Sequence, residues 1–206
     1  MPQSPPHLLI ITESPLREDL EPLLARALTG APFDLLLRDK GAAANRLIAL
    51  GRRLKPLLHA AGGRLLIHDR ADIARLVEAD GLHLPENGMS TREARQLLGT
   101  EVLLGRSCHE PENAREHLLQ GGDYVTLSPV FITGSHPEAI PLGVVRFSQW
   151  RARIPGAVLA LGGIHEGNVR TVLDAGATGV ALIRGLFTAD DPASAARKLS
   201  APFLNA

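Results

Sequence analysis

Where the apolar runs of this sequence stop, charged residues, hydroxyls or glycines follow. "FDLLLR" (33–38) ends in two cations spaced two apart, Arg38 and Lys40. Cations at the end of a buried strand are costly unless an anion or a carboxylate answers them, and Asp69 is the neighbour that can do so structurally. "AVLAL" (157–161) is followed by Gly162-Gly163, and "GVALI" (179–183) by Arg184-Gly185. Bare backbone at strand ends either turns the chain or points N–H groups at an anion. "VLLGRS" (102–107) ends in Ser107, a donor to a ligand, with Cys108 and His109 beside it. The Pro- and Gly-rich stretch "SPVFITGSHPEAIPLG" (128–143) carries Thr133, Ser135 and His136. A histidine with its ordinary pKa of about 6.5 exchanges protons near neutrality, although an exposed loop histidine is most often only solvated. The chemistry these residues support is the binding of a phosphorylated ligand, with proton transfer beside it.

The elements that must position them are short. Eight apolar runs (7–12, 33–38, 64–68, 81–84, 102–107, 124–128, 157–161 and 179–183) are mostly followed by segments of helical periodicity, such as 17–28, 45–61, 91–99, 111–120 and 166–175. Strands apolar on both faces that alternate with helices belong to parallel sheets, and eight units in 206 residues predict a single (β/α)8 barrel over 1–206. A doubly wound open sheet would carry its phosphate glycines after the first strand, where "ITESPLRED" (11–19) has none. In a barrel, the glycines after the seventh and eighth strands lie side by side at the carboxyl end, where barrels frequently hold a phosphate. The connection 128–143 is long enough to act as a lid or binding loop.

Composition excludes other classes. Lys plus Arg and Asp plus Glu are both 22, so the net charge is zero, and no basic stretch points to nucleic acid or an anionic membrane. No apolar segment approaches the roughly 20 residues of a membrane helix. The single Cys108 makes no internal disulfide, and the start "MPQSPPHLLIITE" has no Lys or Arg ahead of its apolar run, so the expected compartment is the cytoplasm.

Six segments in order, "LLLRDKGA" (35–42), "LLIHDRADIARLVEADGLHLP" (65–85), "LLGRSCHEPENA" (103–114), "GDYVTLSPVFITGSHP" (122–137), "ALGGIHEGNV" (160–169) and "GATGVALIRGLF" (176–187), resemble the thiamin phosphate synthase and TenI family. The resemblance implies a pocket for a thiazole phosphate, held on Gly162, Gly163, Arg184 and Gly185, with Ser107, Thr133 and Ser135 on the substrate. It also implies departures. Synthases carry Gln where this chain has Leu36, Asn where it has His68, a second magnesium carboxylate where it has Gly88, and a loop lysine where it has His136. Arg38, Lys40 and Asp69 are kept. Asp69 alone makes an incomplete metal site, and Glu86 can substitute only if its loop is reshaped. Arg184 replaces a small residue and either adds a charge-assisted bond to the phosphate or blocks it.

Three readings follow from the resemblance. The first expected is TenI-like proton transfer on a thiazole phosphate by His136 and His68, with Arg38 and Lys40 in the reaction centre and no cofactor. The tautomerase branch, however, carries a histidine where this chain has Pro129. The alternative is a synthase joining pyrimidine diphosphate to thiazole phosphate with Mg²⁺. The third is a non-catalytic binder of thiazole or thiamin phosphate. A homodimer and a functional link to a Nudix hydrolase, to which TenI-like domains are fused in some bacteria, are further expectations.

Overall fold

The computed structural model describes residues 4–134 and 138–204. Eight strands, β1 (Leu8–Ile11), β2 (Asp34–Leu37), β3 (Leu65–His68), β4 (Gly81–Leu84), β5 (Leu103–Cys108), β6 (Tyr124–Leu127), β7 (Ala157–Leu161) and β8 (Gly179–Leu182), pair in parallel and in chain order. β8 returns to β1 through the register Leu9↔Ala181, so the sheet closes. Helices α1 (Leu20–Leu28), α2 (Ala44–Ala60), α3 (Ala71–Leu76), α4 (Thr91–Leu98), α5 (Pro111–Leu119), α6 (Gly143–Arg151), α7 (Val169–Asp174) and α8 (Pro192–Leu204) each follow a strand. This is the (β/α)8 barrel the alternating runs predict. No helix among the described residues is long and apolar enough to cross a membrane.

Two cores form because a barrel strand buries both faces. Leu9, Ile11, Leu36, Leu66, Tyr124, Leu159 and Ala181 fill the inside. Their strand neighbours, such as Ile10, Leu35, Leu37 and Ile67, pack outward against the helices. Local signals set the helix ends. Ser90 caps α4 through a reciprocal capping box with Glu93, and Pro111 opens α5. α1 starts at Leu20 rather than 17, because Arg17 folds onto Asp19 (2.8 and 2.9 Å) and donates to the Phe187 carbonyl (2.8 Å).

The connection after β6 is pinned at its neck. Val130 and Phe131 N–H groups donate to the carbonyls of Leu161 and Gly162 (2.9 and 3.0 Å), extending the β6–β7 ladder. On the return, Leu142 and Gly143 donate to Pro129 and Val130 (both 2.9 Å).

Candidate functional site at the carboxyl mouth of the barrel

On one arc of the mouth, β2 and β3 deliver Arg38, Asp39, Lys40, His68, Asp69 and Arg70. Thr12 fastens the end of β2 by donating its hydroxyl to the Arg38 carbonyl (2.7 Å) and accepting from the Arg38 N–H (2.8 Å). Between the cations, Asp39 is buried and accepts from Ser14 Oγ and from the amides of Leu16 and Gly41. Burial alone would raise its carboxyl, but those bonds hold it below the usual carboxylate range. Asp39 therefore works for the chain, not for a ligand. Half-buried Arg38 and exposed Lys40 flank it.

His68 is also half-buried. Burial first, then the charges of Arg38 and Lys40, push its imidazole down to about 4, against an opposing effect of Asp69. It is neutral at physiological pH. Asp69 holds a left-handed backbone (φ 62°) and its N–H donates to the His83 carbonyl (2.9 Å). Non-glycine residues in that region cluster at functional positions. Arg70 instead turns to Asp72 with bonds of 2.8 and 2.6 Å.

Below this arc, a polar column crosses the barrel interior. Buried His83 meets the Tyr124 hydroxyl through Nδ1 and Ser107 Oγ through Nε2, both at 3.0 Å. Burial, followed by His68, His117 and Arg106, holds His83 well below its ordinary pKa. A neutral imidazole donates with one nitrogen and accepts with the other, so the orientation of the Ser107 hydroxyl is tied to that of the buried phenol. In the register of β5 and β6, Ser107 stands opposite Thr126, whose fully buried Oγ1 has no partner among the described residues. Neither His83 nor Thr126 is among the site candidates read from the sequence. Both lie at inward positions of their strands, and the alternation from Tyr124 to Thr126 is the signal that finds the latter. Cys108 points outward into the core, and burial pushes its thiol up to about 12. It is no nucleophile.

On the other arc, the loops after β7 and β8 meet as expected: a Cβ on Gly185 would lie 3.9 Å from the Ile164 carbonyl oxygen. Gly162 and Gly163 have φ of 99° and 65°. A Cβ on Gly162 would come within 2.8 Å of Pro129, and one on Gly163 within 2.5 Å of the Ile132 oxygen. The glycine pair thus answers a close approach of the β6 connection as well as leaving its backbone bare. Among the described residues, the N–H groups of Gly163 and Gly185 donate to no acceptor. Exposed Arg184 lies against Gly134 of the same connection, and Thr133 is half-buried there. Ser135 and His136 lie outside the described residues.

A divalent metal has a sparse donor set. No cluster of three or more His, Cys, Asp or Glu suited to a metal occurs among the described residues. Glu86 is committed elsewhere: its Oε1 accepts from the His109 N–H and from Asn113 Nδ2, both at 3.0 Å. Its loop is held by the Arg106 guanidinium, which donates to the carbonyls of Pro85, Glu86 and Met89. Gly88 packs against Pro85, whose Cδ would lie 2.8 Å from a Cβ at position 88. The described residues thus offer no all-protein cage for a Mg²⁺, and Asp69 is the carboxylate that would bind one together with substrate phosphates and water.

The family described as thiamine monophosphate synthase matches residues 8–186 of this chain. The thiamine-phosphate synthase of Moorella thermoacetica is 36% identical over 97% of this chain and 95% of its own length. That of Syntrophomonas wolfei is 38% identical over 84% of each. The solved thiamine phosphate pyrophosphorylase from Pyrococcus furiosus superposes with a TM-score of 0.86 at 27% identity, over 97% of this chain and 96% of that one. With the family model spanning most of its length and relatives at 36–38% identity covering 84–97% of it, this chain belongs to the thiamine monophosphate synthase family.

Proposed function

We propose that the chain is a thiamine-phosphate synthase, joining a pyrimidine methyl diphosphate to a thiazole phosphate. The observation that carries this reading is the presence of two anion-ready arcs at one mouth. Arg38 and Lys40 stand at the end of β2, and the free amides of Gly163 and Gly185 with Arg184 stand after β7 and β8. Two phosphorylated substrates need two such places; isomerising one thiazole phosphate needs only one. In the reaction the bond from the pyrimidine methylene carbon to the diphosphate oxygen breaks, and the thiazole nitrogen forms a bond to that carbon. Diphosphate leaves with its electron pair.

Arg38 and Lys40 neutralise the departing diphosphate, where fixed charge acts more strongly than in water. Neutral His68 adds no charge of its own and leaves those cations to the anion. Asp69 would hold the Mg²⁺, which when bound supplies further charge neutralisation to the diphosphate. Ser107, oriented through His83, faces the heteroaromatic ring, and the amides after β7 and β8 hold the thiazole phosphate. The proton-transfer reading expected first from the sequence is less well supported, because an imidazole at about 4 is a weak base and no acid at neutral pH. The test incubates purified protein with both substrates and Mg²⁺ and measures thiamine phosphate; a parallel arm follows aromatisation of the non-aromatic thiazole phosphate alone. Product in the first arm supports the synthase. Aromatisation without thiamine phosphate overturns it.

A further inference from the structure

We infer that Arg184 and Gly134 form a matched pair through which a bound phosphomonoester fastens the connection after β6. The inference rests on the phosphate reading of the arc after β7 and β8. A Cβ at Gly134 would lie 2.4 Å from Nη1 of Arg184, 3.1 Å from Cζ and 3.2 Å from Nη2. The whole guanidinium therefore lies across the bare Cα of Gly134, and the glycine is what admits it. At its other end the side chain starts from a fixed point. The Arg184 carbonyl accepts from the Thr188 N–H and hydroxyl, both at 3.1 Å, in the single turn that begins at Gly185.

No carboxylate pairs with this guanidinium among the described residues. It stands beside the free amide of Gly185, while two residues before Gly134 the Ile132 oxygen closes on Gly163. Loop, amides and cation thus make one surface. A phosphate dianion on the amides offers oxygens to a forked donor, and that donor already lies against the loop. Ligand and loop are coupled through it, and the coupling is reciprocal. Sequence reading leaves two roles for Arg184, clamp or block, and the seat at Gly134 favours the clamp.

The test uses Gly134→Ala, Arg184→Ala, Arg184→Lys and the double alanine variant. A Cβ at 134 meets only the far end of a flexible side chain, so Gly134→Ala keeps the fold, which thermal melting checks. Calorimetry compares hydroxyethylthiazole phosphate with its unphosphorylated alcohol. Arg184→Ala is expected to weaken the ester about tenfold or more with the alcohol unchanged, Gly134→Ala and Arg184→Lys to weaken it about threefold, and the double variant to be no weaker than Arg184→Ala. Hydrogen exchange of a peptide spanning 128–134 slows on saturation with ester in wild type and not in Gly134→Ala. Additive losses, or unchanged ester binding in Arg184→Ala while wild type prefers the ester, overturn the pairing alone. A wild type that binds ester and alcohol equally overturns the phosphate reading, and the pairing with it.

Discussion

Replacing Gly88 by alanine should destabilise the protein, and removing the Pro85 ring should undo most of the damage. A Cβ at position 88 would lie 2.8 Å from Cδ and 2.9 Å from Cγ of Pro85, distances that side chains do not tolerate, and 3.2 Å from its carbonyl oxygen. The loop cannot swing away cheaply. Its carbonyls at 85, 86 and 89 are held by Arg106, and Gly88 N–H donates to the Pro85 carbonyl (3.1 Å). Overpacking of this kind costs about 1–3 kcal/mol. In Pro85→Ala the two ring atoms are gone and the nearest remaining contact is the carbonyl at 3.2 Å, which a few tenths of an ångström of movement relieves. Urea denaturation of the two single variants and the double should therefore show a favourable coupling of about 1 kcal/mol or more. Additive effects, or a neutral Gly88→Ala, would refute the steric argument. Extended to chemistry, Gly88→Asp in the Pro85→Ala background supplies the second carboxylate that the synthase resemblance implies at this position, and the Mg²⁺ concentration for half-maximal turnover should fall.

Arg38→Gln should lower kcat/KM for the diphosphate substrate by about a hundredfold while changing thiazole phosphate affinity less than about threefold, as steady-state kinetics and calorimetry will show. Tyr124→Phe leaves buried His83 Nδ1 without its partner and should cost about 1–3 kcal/mol in urea unfolding. His117 is buried between Thr91 Oγ1 and the Leu104 carbonyl, and burial followed by Arg106 pushes it down to about 4 from 6.5. The unfolded chain binds this proton first, so stability is full above about 6.5 and declines as pH falls toward 4, by about 3 kcal/mol in all and about 2 kcal/mol by pH 5; urea midpoints at pH 7.5 and 5 measure the latter, and a flat profile refutes it. Cys108 should resist a thiol reagent at pH 8 in the native state and react fully in denaturant.

Strand and helix order was legible because a barrel strand is apolar on both faces and each helix carries its own periodicity. The cations after β2 and the glycines after β7 and β8 were legible for the same local reason: each directly follows an apolar run. What escaped sequence reading depends on contacts between residues far apart in the chain. Nothing near Gly162 announces that Pro129 will close on it, and nothing near Glu86 says that His109 and Asn113 will claim its carboxylate. The tension between a lost carboxylate at Gly88 and the ring of Pro85 spans three positions, yet it appears only once Arg106 has fixed the loop. His68 shows the limit most plainly. Its identity suggested an acid–base group, while its surroundings, two cations and partial burial, make it neutral and weakly basic.

The pinned neck of the connection after β6 has a consequence for how this barrel can be altered. Four backbone hydrogen bonds, from Val130, Phe131, Leu142 and Gly143, fix both feet of the excursion between 132 and 141. The strand registers are set at the feet, while within the excursion Ile132 and Gly134 lie against Gly163 and Arg184. Doubling the length of a loop whose ends are already closed costs only about 0.6 kcal/mol. New sequence grafted between those feet would therefore hang over the mouth without shifting the registers beneath it, making this segment the natural port through which a change of substrate range could be built, by breeding or by design, on an unchanged frame.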